Sequence, residues 1–416
     1  MYADIAIIGG GIVGLSIARE LSSRFKGNFS VLEKEPYIGM HTSSRMTGVL
    51  HSGINQKPGT LKAKLCVEGN RRWKDYILDK CTEYEVPVDQ VMKEVGTLVV
   101  ATDYRERGVL AELLSRSIAN RVPGVRVLDK EQLHEKEPYA DGIDALYSPT
   151  GAIIDPKTVL NFVADDTKRN GVEILTNQRV IGIGNNNGTI EIKTDTNKFR
   201  SKYVINCAGL YADRIGHMMG VGLDYRIVPF RGEYYELVPE FNYLVNSMIY
   251  RAPNLKFPFL DIHFTTTVND KVIVGPNAAL ALGRESYSNS EINFRELFDM
   301  LTDPRFLMLA RNREFLNLTV KESMTSLFKS RFVRAAQRLV PSISEKILTR
   351  GHPSGIRAQL VDSRGKLVED FVLEHTENSS HILNGVSPAF SSALASADHL
   401  VDKLYQEGRL DFLADV

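Results

Sequence analysis

Cysteine and net charge are the two scarce quantities in this sequence. The 416 residues include three cysteines, Cys66, Cys81 and Cys207, which are far apart and form no C-x-x-C pair. They are typical of reduced, buried thiols in a cytosolic protein, and no metal site is predicted. The 51 Lys and Arg residues equal the 51 Asp and Glu residues, so the charge balance gives no support for nucleic-acid binding.

Long hydrophobic runs are also missing. No stretch approaches the roughly 18 apolar residues that a membrane-spanning helix needs, so no spanning helix is predicted. The first apolar run, residues 4–8, leads directly into a glycine-rich motif, and a cleavable signal peptide would not do so. We therefore expect a cytoplasmic protein. Peripheral contact with a membrane stays open, because an amphipathic surface need not show as a hydrophobic run.

The N-terminal 34 residues carry the clearest local pattern. The run at residues 4–8 is followed by G-G-G-I-V-G at residues 9–14, a helical pattern at 15–21, a second apolar run at 29–32, and Glu33. Strand, G-x-G-x-x-G, helix, strand and acid in this order are typical of dinucleotide binding. We expect an ADP-containing dinucleotide, and the alternative is a glycine turn in another kind of βαβ unit.

Each conspicuous residue of this pattern has a physical role. Gly9 allows the tight turn, Gly11 lets a pyrophosphate approach the backbone, and Gly14 lets the helix pack closely on the strand. The helix N-terminus attracts phosphates through its free N–H groups and dipole. Glu33 can accept hydrogen bonds from the ribose hydroxyls.

Several further motifs resemble one family of flavoproteins. They are H-T-S-S-R-M-T-G-V-L-H-S-G at residues 41–53, K-P-G-T-L-K-A-K-L-C-V-E-G at 57–69, P-F-R-G-E-Y-Y at 229–235 and P-S-G-I-R-A-Q at 353–359. Their order resembles the D-amino-acid-oxidase-like superfamily of FAD-dependent oxidases. Within it, the sequence is similar to the L-2-hydroxyglutarate dehydrogenase and oxidase family. The resemblance covers nearly the whole chain.

The resemblance implies an α/β (α+β) fold. A Rossmann-like FAD-binding domain would be interleaved with a β-rich substrate domain that carries extra helices. We place the FAD-binding domain at residues 1–80, 150–225 and 350–416, and the substrate-binding domain at 81–149 and 226–349. Two domains agree with the length, since 416 residues are too many for one simple core.

FAD is the cofactor that the resemblance implies. The glycine motif by itself favours Gly9, Gly11, Gly14 and Glu33 as cofactor-binding residues. The resemblance adds a larger set from distant parts of the chain: Thr42, Ser43, Ser44, Arg45, Val180, Ala208, Gly209, Gly355, Ile356 and Arg357. Flavin accepts a hydride in such enzymes, so the protein must hold the substrate and accept its hydroxyl proton.

His51 and His263 are the candidates for the catalytic proton acceptor. A histidine suits this task because its unperturbed pKa of about 6.5 leaves it neutral near pH 7. The resemblance supports both residues, and we favour His51 as the base. A hydrogen-bonded structural histidine is the alternative for each. For His41 we favour a hydrogen-bonding loop residue over covalent attachment to flavin.

Arg231, Arg357 and Lys256 are the candidates for binding substrate carboxylates. Arginine presents a planar fork that binds a carboxylate through two hydrogen bonds, and both arginines lie in the motifs of the resemblance. Lys256 would act as a point charge on a distal carboxylate. The alternatives are a structural ion pair for each arginine and a solvated loop side chain for the lysine.

Together these features favour FAD-dependent oxidation of a small L-2-hydroxy acid, with L-2-hydroxyglutarate as the expected substrate and 2-oxoglutarate as the product. The alternatives within the class are an amine or amino-acid oxidase of glycine or sarcosine type and a glycerol-3-phosphate dehydrogenase. A non-catalytic FAD electron-transfer subunit is the alternative from another class. Oxygen, a quinone and a protein carrier are all compatible electron acceptors.

Overall fold

The structure is a computed structural model that describes residues 1–186, 188–255, 262–385 and 387–416. In these residues the α-helices are α1 (Ile12–Arg24), α2 (Leu61–Glu83), α3 (Arg107–Ala119), α4 (Lys130–Lys136), α5 (Pro156–Arg169), α6 (Ala212–Met218), α7 (Phe294–Leu301), α8 (Pro304–Ala310), α9 (Arg313–Leu327), α10 (Lys329–Ala336) and α11 (Ala389–Gln406). None of these helices is both long and apolar enough to cross a bilayer.

The strands fall into two halves of the chain. The first half contains β1 (Tyr2–Ile8), β2 (Phe25–Lys26), β3 (Phe29–Leu32), β4 (Val49–Leu50), β5 (Met92–Lys93), β6 (Thr97–Ala101), β7 (Arg126–Asp129), β8 (Asp144–Ser148), β9 (Ala152–Ile154), β10 (Glu173–Leu175), β11 (Val180–Asn186), β12 (Thr189–Thr194) and β13 (Lys198–Asn206). The second half contains β14 (Arg226–Gly232), β15 (Tyr235–Leu237), β16 (Met248–Arg251), β17 (Phe264–Thr266), β18 (Val272–Val274), β19 (Ala279–Leu280), β20 (Leu348–Thr349), β21 (Gly355–Val361), β22 (Val372–His375), β23 (Ser379–Asn384) and β24 (Ala414–Asp415).

The first large sheet is built around β1. Its strand order is β10-β3-β1-β13-β12-β11, and β23 and β22 extend it from β13. β1 pairs in parallel with both β3 and β13, and its Ile5 and Ile7 are fully buried. Burial on both faces explains why this strand is a continuous apolar run rather than an alternating one. α1 and α5 contribute to the same apolar core.

β13 brings the C-terminal part of the chain to this sheet. Its first residues pair antiparallel with β12, and its last residues, Val204 to Asn206, pair in parallel with β23. α11 follows β23 and packs against both α1 and α2. The last helix therefore lies beside α1, the helix that follows the glycine motif.

The second large sheet has the order β20-β15-β18-β17-β16-β6-β8-β7. β6 and β16 pair in parallel, so the sheet joins strands from residues 97–148 with strands from residues 235–274. Phe264 of β17 and Phe332 of α10 are buried in its core. This pairing agrees with one substrate domain assembled from two segments, although the exact domain boundaries stay a prediction.

A three-stranded sheet, β19-β14-β21, connects two motifs that are distant in sequence. β14 pairs antiparallel with β21 from Arg226 opposite Val361 to Gly232 opposite Gly355. Helices α7, α8 and α9 bury Phe306, Leu309 and other apolar side chains against this sheet. The residues around 231 are thereby held beside those around 356.

Candidate active site

The glycine turn after β1 leaves no room for side chains. Gly9 has a φ of 116°, and a Cβ there would lie 2.3 Å from the carbonyl oxygen of Cys207. A Cβ at Gly14 would lie 2.0 Å from the carbonyl oxygen of Gly9. α1 therefore sits directly on the turn, as the nucleotide-binding motif requires.

The N-terminus of α1 is available to an anion. Its N-cap, Gly11, has no side-chain cap hydrogen bond, and the Ile12 N–H donates to Ser43 Oγ at 3.0 Å. Glu33 at the end of β3 is buried, and its carboxylate accepts hydrogen bonds from the Gly10 N–H at 2.8 Å and the Glu35 N–H at 2.9 Å. A carboxylate has further acceptor sites for ribose hydroxyls, so the phosphate and ribose positions lie next to each other.

The loop after β3 is hydrogen-bonded to the motif at residues 353–359. Thr42 Oγ1 donates to the carbonyl oxygen of Ile356 at 3.1 Å, and Arg45 Nη1 donates to that of Ser354 at 3.3 Å. A Cβ at Gly355 would lie 2.4 Å from the Arg45 carbonyl oxygen. The site is consequently built from both ends of the chain.

His41 is hydrogen-bonded on both sides of its ring within this loop. Nε2 lies 2.8 Å from Glu35 Oε1, and Nδ1 bonds to the Tyr287 hydroxyl. This arrangement is the one expected of a hydrogen-bonding loop residue.

These pieces enclose a cavity of about 1040 Å³. That volume lies at the upper end of the roughly 300–1,000 Å³ of ordinary ligand pockets. Most of the predicted cofactor residues line it, together with both candidate histidines: Gly9, Gly11, Glu33, Thr42, Ser43, Arg45, Val180, Ala208, Gly209, Gly355, Ile356, Arg357, His51 and His263. The cavity therefore extends from the glycine turn at residues 9–14 to the predicted substrate region.

His51 is held by its backbone beside the start of α11. Its N–H donates to Ser391 Oγ at 2.9 Å, and its carbonyl oxygen accepts a hydrogen bond from Cys66 Sγ at 3.5 Å. Burial is the main cause that lowers the pKa of the His51 imidazole to about 4, and the nearby His263 and Lys62 contribute to the same shift. His51 is thus a neutral imidazole at pH 7 and can accept a proton.

His263 also lines the cavity, just before β17. Its side chain is buried, and its ring stacks on that of Tyr250 with centroids 4.2 Å apart and an interplanar angle of 26°. Tyr250 comes from β16. The stack fixes the ring plane of His263, which a residue that orients a substrate needs.

Arg357 supplies positive charge to the cavity from β21. Burial lowers the pKa of its guanidinium to about 10, and Glu369 acts in the opposite direction. The group remains charged at neutral pH. A guanidinium in a poorly hydrated wall attracts a carboxylate more strongly than one in water would.

One family of known proteins matches nearly the whole chain. The sequence model of the family described as "FAD dependent oxidoreductase" matches residues 4–403.

The chain belongs to the FAD-dependent oxidoreductase family.

Among members of this family with related sequences, an L-2-hydroxyglutarate dehydrogenase from Indibacter alkaliphilus is 37% identical, with 95% of this chain and 97% of that protein covered. The mitochondrial L-2-hydroxyglutarate dehydrogenase of Homo sapiens is 36% identical, with 98% and 89% covered. An L-2-hydroxyglutarate dehydrogenase of Escherichia coli is 34% identical, with 97% and 93% covered. The similarity thus extends through both predicted domains.

Solved structures of flavin enzymes share the fold. The FAD-bound L-alpha-glycerophosphate oxidase of Mycoplasma pneumoniae superposes with a TM-score of 0.77 at 23% identity, covering 100% of this chain and 97% of that one. Glycine oxidase of Geobacillus kaustophilus gives a TM-score of 0.70 at 17% identity, with 97% and 95% covered. The predicted α/β class with a Rossmann-like nucleotide domain is confirmed.

FAD is the cofactor of this oxidoreductase, and the residues present fit it. Gly9 and Gly14 admit no Cβ, the α1 N-terminus faces the cavity, and Glu33 follows the adjacent strand. Ser43 supplies a small hydroxyl at the helix N-terminus, where its Oγ accepts a hydrogen bond from the Ile12 N–H.

Three predicted site residues lie elsewhere. Gly14 is behind the turn, and Ser44 Oγ donates to the Gly39 carbonyl oxygen at 2.7 Å. Arg231 is not among the described residues that line the cavity, and its buried guanidinium bonds the carbonyl oxygen of Ser288 at 2.7 Å and pairs with Glu233 at 3.1 Å. Lys256 falls outside the described residues.

Sequence reasoning assigned no role to three residues at the site. The Tyr234 ring lines the cavity and packs edge-on against His352, with centroids 4.8 Å apart. Tyr250 lines it as the stacking partner of His263. Lys62 is near His51 and Arg357, and burial lowers its pKa to about 8. Tyr234 and Lys62 lie in motifs of the resemblance, so a signal existed for them, whereas nothing in the sequence marks Tyr250.

Proposed function

We propose that this protein oxidises L-2-hydroxyglutarate to 2-oxoglutarate. The main observation behind the proposal is that the charged Arg357 and the neutral His51 line the same cavity as the residues predicted to bind FAD. The relatives whose names contain this substrate match nearly the full chain, which supports the same chemistry here.

The reaction divides between the cofactor and the protein. FAD, when bound, supplies the acceptor for the hydride from the substrate C2–H bond. The protein has to remove the proton of the C2 hydroxyl, so that the C2–O bond becomes a carbonyl. The neutral imidazole of His51 can take that proton. His263, held by its stack on Tyr250, is the second candidate for this step and for orienting the hydroxyl.

Arg357 binds a substrate carboxylate, and the bound carboxylate influences the base. Two parallel hydrogen bonds from a guanidinium fix both the position and the plane of a carboxylate. Without substrate, burial and nearby cationic groups hold the pKa of His51 at about 4, which makes it a weak base. The negative charge of an arriving dicarboxylate opposes that effect and raises the His51 pKa toward the range in which general bases work well.

The residue for the second carboxylate remains a prediction. Lys256 keeps the role proposed from the sequence, a point charge on the distal carboxylate. Arg231 is left out of the proposed substrate site, because its guanidinium is committed to Ser288 and Glu233 away from the cavity.

Amine oxidation of glycine type and glycerol-3-phosphate oxidation are the rival reactions. Solved structures with such names share the fold at identities below 25%, which does not extend to their substrates. A non-catalytic electron-transfer subunit is the third rival, and it would bind FAD without responding to any small substrate.

Anaerobic reduction of the purified flavoprotein tests the proposal. The holoenzyme is mixed in turn with L-2-hydroxyglutarate, D-2-hydroxyglutarate, glycine, sarcosine and glycerol-3-phosphate, and the flavin absorbance is followed. We expect bleaching with L-2-hydroxyglutarate alone, because hydride transfer requires both the carboxylate contacts and the L configuration at C2. Bleaching by glycine, sarcosine or glycerol-3-phosphate instead would replace the proposed substrate, and no bleaching at all would favour the electron-transfer subunit.

The acceptor that reoxidises the enzyme is a separate prediction. Oxygen, a quinone analogue and a small redox protein can each be added to the reduced enzyme, and the return of flavin absorbance is timed. The compound that restores the flavin absorbance fastest identifies the class of electron acceptor. We also propose peripheral membrane contact, which would bring a lipid-soluble acceptor within reach.

A further inference from the structure

A buried histidine lies beside the carboxyl ends of β1 and β13. His381 of β23 is fully buried, and the cavity wall, as far as the structure describes it, does not include it. It is the register partner of Asn206, the last residue of β13, and Asn206 is in turn the register partner of Ile8, the last residue of β1. These three residues therefore stand side by side on neighbouring parallel strands, and Ile8 immediately precedes the glycine turn. The proposed reaction gives His381 no role, so the burial of this polar ring needs an explanation.

Asn206 links this histidine to the segment that follows β13. Its Nδ2 donates to the carbonyl oxygen of Ala212 at 2.8 Å and lies 3.1 Å from Nδ1 of His381. Its Oδ1 accepts a hydrogen bond from the Ala208 N–H at 3.1 Å. The buried amide thus ties the end of β13 to both ends of the connection at residues 208–212.

These contacts determine which nitrogen of His381 carries the proton. The amide of Asn206 presents its nitrogen to Nδ1, because its oxygen is already bonded to the Ala208 N–H. Nδ1 must therefore accept, and the single proton of a neutral imidazole lies on Nε2. Nε2 can then donate to Ser379 Oγ, which is 2.9 Å away. Burial, with a smaller contribution from His375, lowers the pKa of His381 to about 4, so the neutral form is the one present at pH 7.

The segment that Asn206 holds forms part of the cofactor cavity. Residues 207–209 line it. The Cys207 N–H donates to the carbonyl oxygen of Ile8 at 2.8 Å, and the carbonyl oxygen of Cys207 is the atom that a Cβ at Gly9 would approach to 2.3 Å. The position of residues 207–209 therefore decides how much space is left at the glycine turn.

We propose that His381 is a positioning residue for FAD: acting through Asn206, its imidazole holds residues 207–209 in the place that the cofactor requires. The acceptor on β23 keeps the Asn206 amide from turning, and the fixed amide in turn holds the Ala208 N–H. Hydrogen bonds from residues behind a site commonly fix the geometry of the residues that line it. The inference concerns the cofactor and does not depend on which substrate is oxidised.

His375 offers a control on the neighbouring strand. It belongs to β22, which pairs with β23, and its Nδ1 lies 2.8 Å from Ser380 Oγ. Replacing either histidine removes an imidazole from the same pair of strands, but His381 is the one that contacts Asn206. A purely structural role for these imidazoles would affect stability in both variants without a specific effect on FAD.

Release of FAD from the diluted holoenzyme, followed by the fluorescence of free flavin, tests the proposal. His381→Leu removes the acceptor, and we expect it to bind FAD about tenfold or more weakly, because a buried N–H of Asn206 loses its partner. His381→Asn places a carbonyl oxygen near the position of Nδ1 and should recover most of the affinity. His375→Leu should bind FAD as the wild type does.

Two further measurements separate positioning from stability. At saturating FAD, His381→Leu should change the visible circular dichroism of the bound flavin, whereas a loss of stability alone would lower the melting temperature and leave that spectrum unchanged. Asn206→Ala should weaken FAD binding about tenfold or more. The double variant of His381→Leu and Asn206→Ala should be about as weak as Asn206→Ala alone, because the two residues act in one chain of hydrogen bonds.

The proposal is wrong if His381→Leu binds FAD with the affinity of the wild type, or if His375→Leu weakens binding equally. Absence of recovery in His381→Asn would also contradict it, as would full additivity in the double variant. If His381→Leu does not fold, Asn206→Ala provides the test, and wild-type affinity for FAD in that variant would overturn the proposal.

Discussion

Three helical glycines test how closely α1 must pack on the glycine turn to bind the nucleotide. Gly14 of α1, Gly69 of α2 and Gly108 of α3 all lack a positive φ, so alanine is sterically allowed by the backbone at each. Alanine in place of glycine favours a helix by up to about 1 kcal/mol. Any difference among the three variants must therefore come from the space around the new Cβ.

The structure predicts that these substitutions change the free energy of unfolding in opposite directions. A Cβ at Gly14 would lie 2.0 Å from the Gly9 carbonyl oxygen, and a Cβ at Gly69 would lie 2.1 Å from the Ser391 carbonyl oxygen. A Cβ at Gly108 would meet nothing within 4 Å. Backbone atoms must move in the first two variants, and overpacking of this kind costs about 1–3 kcal/mol, which outweighs the propensity gain.

Gly14→Ala should also weaken FAD binding, whereas Gly108→Ala should not. Contacts below 3.0 Å essentially never occur for a real Cβ, so α1 would move about 1 Å away from the turn and displace the N–H groups that face the pyrophosphate. We expect at least about tenfold weaker FAD binding for Gly14→Ala. Gly69→Ala should lower stability by separating α2 from α11, with a smaller effect on FAD.

Urea unfolding and titration of the apoprotein with FAD measure both quantities. Gly108→Ala should have a free energy of unfolding equal to or up to about 1 kcal/mol above that of the wild type. If Gly14→Ala bound FAD as tightly as Gly108→Ala does, the packing of α1 on the glycine turn would not govern the cofactor site and the reasoning would be wrong.

Further predictions concern the substrate region. His51→Asn should retain flavin and lose about 10²–10⁴-fold in kcat; undiminished turnover would remove His51 as the base. Because the His51 pKa is lowered to about 4, kcat/KM should change little as the pH falls from about 7 to 5 and decrease only at lower pH, where the imidazole is protonated. A midpoint near 6.5 would contradict this. Arg357→Lys should raise KM about tenfold or more with flavin absorbance unchanged, whereas Arg231→Lys should lower the melting temperature and leave KM alone. Tyr234→Phe should raise KM severalfold if its hydroxyl contacts substrate, and an unchanged KM would limit Tyr234 to packing.

The low pKa of His51 also has a consequence for stability. The unfolded chain would protonate this histidine near its ordinary pKa of about 6.5, while the folded protein resists protonation down to about 4. The unfolded state therefore binds more protons in this window, and stability falls as the pH drops through it. Comparing the melting temperatures of the wild type and His51→Asn across this window isolates the contribution.

The local parts of the site followed directly from the sequence. β1, the glycine turn, α1, β3 and Glu33 are consecutive, and their contacts are set by the backbone geometry of one βαβ unit. The absence of room at Gly9 and Gly14 is therefore what the motif by itself leads one to expect. The motifs at residues 41–53 and 353–359 indicated the cofactor, but only through resemblance to a family.

The orientation of Arg231 was not predictable in the same way. Phe230 and Gly232 on either side of it line the cavity, and side chains alternate between the two faces of a strand. Arg231 therefore points to the opposite face, toward Ser288 and Glu233. Knowing that the motif belongs to β14 is insufficient, because the register against β21 decides which alternate residues face the cavity.

The sequence by itself determined the βαβ unit and the cofactor class, and most of the residues that it predicts for the cofactor line the cavity. It did so because those features depend on neighbouring residues or on a shared pattern of motifs. The tertiary structure alone decided that Thr42 meets Ile356 and that His263 stacks on Tyr250. It also decided which apolar stripe of α7 and α9 is buried and which is exposed. Such contacts join residues that are distant along the chain, and sheet register and helix packing set them rather than local composition.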